Sequence, residues 1–258
     1  MAQRSSNIFR QLVSRSIRTD YLENLTGFAW LILQPLLLLA VYAFVFTTIF
    51  QARIPDADSV GFIPYLAVAF WPWTAFSEAV LKASNTVTAN AALIGKVAFP
   101  SELLTLSAVA ATFLMHMVGY SAVLIVLQLS GTDVHWIGVL GAIPLIILLG
   151  VLASGIGLIA AALQVFVRDV AQILPPLMTF WFFMTPILYS EAVLPPEMAA
   201  WIAWNPMSSF MDALRGLILF GDFWVGWNAL IVSVLAILLL WVGLRFFRRL
   251  AGHFEDFL

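Results

Sequence analysis

Three ionisable side chains, Glu78, Lys82 and His116, lie inside long apolar stretches and are the first candidates for chemistry. Ionisable groups are costly in an apolar environment, so they usually mark functional positions. Glu78 and Lys82 are four residues apart, which places them on one helix face, and a local ion pair is favoured over a role in ion coupling. His116 is interpreted as a helix-contact residue that hydrogen-bonds to a neighbour.

Signatures of enzymes and metal sites are absent from the sequence. It holds no GxxxxGK[ST] phosphate loop, no HExxH and no GxSxG motif, and its three histidines are too scattered for a ligand cluster. It contains no cysteine, so thiolate sites and disulfides are excluded. We therefore predict no catalytic residue, no metal, no cofactor and no ATP hydrolysis by this chain itself.

Composition indicates the environment in which these groups are positioned. Of the 258 residues, 62% are hydrophobic and 10% are charged, and the mean hydropathy is +1.00. A soluble domain carries roughly 25% charged residues. The chain is therefore predicted to be an all-α, polytopic membrane protein whose surface is covered by lipid.

Six apolar runs are predicted to cross the bilayer as helices. They cover residues 28–50, 62–81, 103–129, 136–166, 173–189 and 227–247. A basic amphipathic helix within residues 1–27 is predicted to lie along the membrane interface. Residues 190–226 are too polar for a plain crossing and are predicted to form short re-entrant or interfacial helices, split at Asn205 and Pro206. Together these segments make one transmembrane domain, residues 1–258.

The distribution of basic residues predicts the orientation of the chain. Six crossings place both termini on one side, and that side carries 10 of the 12 Lys and Arg residues. It is therefore predicted to be the cytoplasm. The ten residues are Arg4, Arg10, Arg15, Arg18, Lys82, Lys96, Arg168, Arg245, Arg248 and Arg249.

A polar island at residues 84–102 separates the second and third spans. Leu93 and Ile94 form a small apolar knob within it, and Lys96 follows where a helix C-terminus favours a cation. We predict a short helix outside the membrane, and an ordinary connecting loop is the alternative. Its start would be capped by side chains from Asn85, Thr86, Thr88 and Asn90.

Aromatic residues are concentrated in the second and fifth spans. Ring faces can stack on sugars without the fixed charges that would trap a passing substrate. The alternative is an interfacial aromatic belt with ordinary lipid-facing packing. The residues are Phe70, Trp71 and Trp73, then Phe180, Trp181, Phe182, Phe183 and Tyr189.

A series of motifs along nearly the whole chain resembles the membrane permeases of type-2 ABC exporters. Within that family it is most similar to permeases that export O-antigen, capsular and related cell-surface polysaccharides. The motifs are the basic N-terminal helix, Gly27 to Trp30, Leu33 to Leu36, Phe70 to Trp73, Asn90 to Pro100, Phe166 to Val170, Thr185 to Tyr189, and Asn205 to Met207.

The resemblance implies a homodimer in the bacterial inner membrane, bound to two copies of a separate subunit that binds ATP and Mg. The substrate would be a lipid-linked polysaccharide, handed on to periplasmic or outer-membrane export components, and no nucleic acid is involved. The resemblance also implies three groups of site residues. They are the ATPase contacts Asn90, Leu93, Ile94, Lys96, Arg168 and Asp169; the channel residues Trp71, Trp73, Phe180, Trp181, Phe183 and Tyr189; and the periplasmic gate residues Asn205, Pro206 and Arg215.

Other cargoes and other classes of protein stay open at this stage. The same architecture could export teichoic acid, a lipo-oligosaccharide or a small hydrophobic drug. A secondary carrier would need no ATPase partner, and a membrane enzyme acting on isoprenoid-linked sugars would need an acidic or metal-binding cluster. Asp56 and Asp58 are the close acidic pair that such an enzyme could use, and they fall in a predicted external loop.

The turn at Arg168 and Asp169 offers a test of this topology. A cysteine at either position should react with a membrane-impermeant maleimide only when the cytoplasmic face is accessible, because the turn joins the fourth and fifth spans on that side. Labelling of intact cells from the periplasm would overturn the orientation.

Overall fold

The computed structural model of the chain describes residues 2–19, 25–51, 55–57, 59–94, 99–224 and 226–258. Within these residues the fold is helical and contains no strand. Ten α-helices follow one another, with a π-helical turn, Val45–Ile49, directly after the second. They are α1 (Ala2–Ile17), α2 (Leu25–Phe44), α3 (Phe62–Ala89), α4 (Ala91–Ile94), α5 (Glu102–Leu129), α6 (Trp136–Phe166), α7 (Val170–Met184), α8 (Pro196–Ile202), α9 (Pro206–Leu219) and α10 (Gly226–Ala251).

Several of these helices are suited to a bilayer. Among the described residues, four segments are long and apolar enough to cross it, namely Ile32–Ile49 in α2 with its π turn, α5, α6 and α10. The shorter α7 is also apolar. These helices confirm the prediction of an all-α, multi-pass membrane protein.

The centre of the fold is α3, which is buried along most of its length. It continues through Pro72, although proline lacks the N–H that would bond the carbonyl of Val68 one turn earlier. The hydroxyl of Tyr120 on α5 donates to that carbonyl at 2.9 Å. A side chain from the neighbouring helix thus satisfies the group that the proline leaves open.

The structure differs from the prediction in where α3 ends, within the segment 82–102. The second span was expected to stop near residue 81, but the helix runs two turns further, to Ala89. The side chains expected to cap a new helix bond backwards along α3 instead: Asn85 Nδ2 donates to the Leu81 carbonyl at 3.0 Å, and Thr86 Oγ1 to the Ala83 carbonyl at 2.7 Å. The predicted short helix is the single turn α4.

The fifth apolar run is also shorter than predicted, because α7 ends at Met184 rather than near residue 189. Thr185 adopts an extended conformation, with φ −100° and ψ 134°. It precedes Pro186, and a residue before proline is disfavoured in the helical region. Residues 185–190 therefore leave the helix and turn towards α8.

The amphipathic N-terminal helix packs on the outside of this bundle. α1 contacts α5, and Ile17 packs against the buried Met115. Polar residues such as Gln11 and Arg15 remain exposed. This separation of faces suits the interfacial position predicted for α1.

Helices α6 and α10 cross at two glycines. A Cβ added to Gly155 would lie 2.8 Å from the backbone of Leu239, and one added to Gly243 would lie 2.6 Å from the carbonyl oxygen of Gly155. Small residues of this kind let membrane helices approach closely, and van der Waals packing then holds the pair together.

We predict that Gly155→Ala disrupts this crossing, whereas Gly150→Ala on the same helix does not. Overpacking costs about 1–3 kcal/mol, and at Gly155 the clash is with backbone rather than with a flexible side chain. At Gly150 the added Cβ meets only the ring of Phe113, at 3.8 Å. Thermal unfolding of the purified protein in detergent should show a lower midpoint for Gly155→Ala alone; equal midpoints would contradict this account.

Candidate functional site

A cavity of about 670 Å³ lies between α2, α3 and α7. Its lining is mostly apolar and aromatic, with polar groups towards one end, where Ser77, Glu78 and Lys82 take part. Such a surface offers ring faces and few charges to a ligand. The aromatic lining residues are Trp30, Tyr42, Phe70, Trp73, Phe182 and Phe183.

Phe182 is the centre of the aromatic wall. Its ring centroid lies 5.7 Å from that of Tyr42 on α2, 6.0 Å from Phe70 and 5.9 Å from Trp73 on α3, and 5.2 Å from Phe183. These separations are typical of paired aromatic rings. The wall therefore joins three helices, and Tyr42 is a lining residue outside the two aromatic-rich spans that the sequence pattern singled out.

Two of the six predicted channel residues line this cavity, Trp73 and Phe183. Trp71 does not, because it is wholly buried against α5 and its Nε1 donates to the His116 carbonyl at 3.0 Å. Trp73 lies two positions after Trp71, so a helix turns their side chains to nearly opposite sides. The aromatic pattern of the sequence could not decide which of the two faces the cavity.

The other three predicted channel residues lie around the wall rather than on the cavity lining. Phe180 is 63% exposed on the outer face of α7. Trp181 packs behind the wall, with its ring centroid 5.4 Å from that of Phe76. The hydroxyl of Tyr189 donates to the Phe183 carbonyl at 3.1 Å.

The ionisable residues form one connected cluster at the edge of the cavity. Lys82 Nζ lies 2.9 Å from Glu78 Oε1, and His116 Nε2 lies 2.8 Å from Glu78 Oε2. The predicted ion pair and the predicted hydrogen bond of His116 are therefore both present, and they share a single carboxylate. His116 is wholly buried, whereas Glu78 and Lys82 are partly exposed.

A second cavity, of about 580 Å³, lies between α1, α3 and α5. A larger share of its lining residues is polar or charged by type, among them Arg15, Asn85 and Asn90. Glu78 and Lys82 line both cavities. The ion pair thus stands at the boundary between an aromatic space and a polar one beneath the amphipathic helix.

One amide side chain ties the end of α7 to the start of α9. Asn205 Oδ1 accepts from Trp181 Nε1 at 2.8 Å and caps α9 by accepting from Met207 N at 3.1 Å. Its Nδ2 donates to the carbonyl of Met184 and to Thr185 Oγ1, both at 3.0 Å. Pro206 follows at the start of α9, where a helix does not need the missing N–H.

Arg215 on α9 is a second buried connection. The sequence predicts it as a periplasmic gate residue, and its side chain is only 3% exposed. The guanidinium donates to the carbonyls of Tyr65, Pro186 and Ile187 at 3.1, 2.8 and 3.0 Å, and it lies 3.6 Å from the centroid of the Tyr65 ring. It thereby fixes α9 against the start of α3 and against the segment that follows α7.

The predicted ATPase contacts occupy one end of the bundle. In α4, Leu93 and Ile94 are half-buried, and Ile94 also packs against the protein's own core. Asn90 Nδ2 donates to the Thr86 carbonyl at 2.8 Å, so this side chain does not cap α4. Arg168 and Asp169 lie exposed in the turn between α6 and α7, both within the described residues, and no ion pair joins them. Lys96 lies outside the described residues.

A multi-pass helical fold with an aromatic-walled cavity is typical of a membrane protein that binds or transports a substrate. The chain belongs to the ABC-2 type transporter family, whose model matches residues 7–219. The family resemblance inferred from the sequence motifs is thereby confirmed.

Similar proteins extend this match over most of the chain. The O-antigen export system permease protein RfbA of Klebsiella pneumoniae is 27% identical over 253 residues, 96% of this chain and 93% of that protein. The RfbA protein of Myxococcus xanthus is 27% identical over 248 residues, 95% and 93% of the two chains. The polysialic acid transport protein KpsM of Escherichia coli is 23% identical over 238 residues, 92% and 91%.

We predict that Asn205→Ala loosens the connection between α7 and α9. The substitution leaves the Trp181 indole and the start of α9 without their acceptor, at a cost of about 2 kcal/mol. Asn228→Ala, at an exposed position on α10, is the matched control. Hydrogen exchange of the purified protein should rise in residues 185–210 of the first variant only, and unchanged exchange there would remove Asn205 from this role.

Proposed function

We propose that this chain is the permease subunit of an ATP-driven exporter that moves a lipid-linked cell-surface polysaccharide, of O-antigen or capsule type, from cytoplasm to periplasm. The observation that carries the proposal is the aromatic wall of α2, α3 and α7 in a chain aligned along its length with O-antigen export permeases. Aromatic faces stack on sugar rings and carry no fixed charge, so a polymer can bind weakly and move on.

The proposed topology has six crossings, formed by α2, α3, α5, α6, α7 and α10. α3 is shielded from lipid on most sides, so it tolerates the partly polar composition that distinguishes it from the other spans. Both termini then lie on the side that carries most of the Lys and Arg residues, the cytoplasm. The plasma membrane is the proposed location, with α8 and α9 as gate helices on the periplasmic side.

The proposed assembly is a homodimer whose conduit runs between the two copies. Support comes from α2 and α7, which border the cavity and also expose large apolar side chains such as Leu37, Val41, Phe180 and Phe183. A second copy facing these helices would enclose the cavity on the side that one chain leaves open. Opening would then require the two permeases to separate.

The proposed energy source is a separate ATPase subunit with its own ATP and Mg, two copies per dimer. It would dock on α4 and on the turn at Arg168 and Asp169. Closure of the two ATPase subunits on ATP would move α4 as a lever, and because α4 follows α3 after one residue, the motion would reach the cavity wall directly. Periplasmic or outer-membrane components would receive the polymer.

The experiment that tests the proposal is ATPase activity in proteoliposomes. The chain is co-expressed with a candidate ABC ATPase subunit, purified, and assayed with and without a lipid-linked glycan extract. Stable copurification with glycan-stimulated hydrolysis is expected. Stimulation by teichoic acid, lipo-oligosaccharide or a drug instead would reassign the cargo, and failure to bind any such ATPase would favour a secondary carrier.

Leu93→Asp combined with Ile94→Asp is expected to abolish copurification of the ATPase and glycan-stimulated hydrolysis, because two carboxylates would replace the apolar contact. Val193→Asp, at an exposed apolar position in the turn before α8, is the control and should copurify normally. The unfolding midpoint is measured in parallel, because Ile94 also packs against the core. A folded double variant that still assembles would remove α4 from the docking surface.

A further inference from the structure

The last residues of the chain are fixed in place by a buried aromatic anchor. Phe254, three residues after the end of α10, is 0% exposed, and its ring centroid lies 5.2 Å from that of Phe247 and 6.1 Å from that of Phe166. Val87 of α3 and Val165 of α6 belong to the same core cluster. Residues 253–258, called the tail below, are thus packed against the helices of the fold.

This tail borders both segments proposed to contact the ATPase. A groove of about 370 Å³ lies between Ala91 of α4, Arg168 in the turn after α6, and Phe257 with Leu258. A second groove, of about 260 Å³, is lined by Ala92, Ile94, Glu255 and Leu258. Three segments that are far apart in the sequence therefore meet on one surface.

The exposed chemistry of the tail is apolar with an acidic edge. Phe257 is 56% exposed, although its ring also contacts that of Phe166, with centroids 4.8 Å apart. Leu258 is exposed beside it, and so are Glu255 and Asp256. Exposed aromatic and aliphatic side chains next to charge are typical of the core and rim of a protein interface.

The acidic side chains of the tail also indicate which kind of partner could bind this surface. A cytoplasmic leaflet carries anionic lipid, which attracts basic segments and repels Glu255 and Asp256, the exposed charges of the tail itself; Arg168 borders the same groove from the opposite segment. A protein surface with basic side chains around an apolar pocket would complement both features. The chemistry therefore favours a protein over the bilayer.

We propose that the tail is the third element of the ATPase docking surface, beside α4 and the turn at Arg168. This inference rests on the proposed function, since it assumes an ATPase partner at this end of the bundle. Phe254 holds the tail in register, Phe257 and Leu258 enter an apolar depression of the partner, and Glu255 and Asp256 meet its basic residues.

Single cysteines test this assignment, because the chain has none of its own. Cysteine replaces Glu255, Ala92 or Asp133, all exposed, and maleimide labelling is timed for the permease alone and for its complex with the ATPase. Labelling at positions 255 and 92 should slow at least about tenfold in the complex, because an interface excludes solvent from its contact residues. Asp133, in the turn between α5 and α6, is the control and should not change.

The outcomes separate the two proposals. Protection at 92 without protection at 255 would overturn the role of the tail and leave the ATPase partner in place. Protection at neither position in the assembled complex would overturn the docking surface, whereas failure to form the complex would overturn the proposed ATPase partner. Protection at 255 when the permease alone is placed in phosphatidylglycerol vesicles would assign the tail to the membrane instead.

Charge reversal gives a second measurement with little effect on folding, since both side chains are exposed. Glu255→Lys combined with Asp256→Lys should shift the concentration of ATPase subunit needed for half-maximal assembly upwards by about tenfold, as expected when opposite charges at an interface become like charges. Asp133→Lys is the matched control and should leave that concentration unchanged. Equal assembly by all three proteins would contradict the proposed contact.

Discussion

The constraint on which the rest of this structure depends is that an apolar bilayer offers no hydrogen bonds to the backbone. At two places in the described part of the chain where the helix is interrupted, a side chain supplies a hydrogen-bond partner. Tyr120 donates to the carbonyl that Pro72 leaves open in α3, and Arg215 donates to the carbonyls of Pro186 and Ile187 beyond the end of α7. These two buried side chains are thus explained by the backbone groups that they satisfy.

The same constraint orders the packing. Lipid gives helices little hydrophobic reason to associate, so close contact has to come from shape. Gly155 and Gly243 let α6 and α10 touch backbone to backbone, and the small residues of α3 let α5 and α6 enclose it. With α3 held on these sides, its remaining face is left to carry Phe70, Trp73 and Glu78 towards the cavity.

The sequence predicted the simple helices well and the interrupted ones less well. The bounds predicted for α6 match the structure, and those for α5 differ by one residue, because uniform hydrophobicity and clear polar turns mark both ends. The end of α3 was wrong because Asn85 and Thr86 can cap a helix or continue it, and only tertiary contacts decide. Trp71 and Trp73 could not be told apart, and the burial of Arg215 could not be foreseen, for the same reason.

The contacts of Asn205 have a mechanical consequence, because they join the end of α7 to the start of α9. The side-chain amide of Asn205 hydrogen-bonds directly to the Trp181 indole behind the aromatic wall, to the last carbonyl of α7 and to the first turn of α9. A tilt of α7 would therefore move the start of α9 with it. As a proposed gate helix, α9 would then follow the movement of the cavity wall without a ligand-binding site of its own.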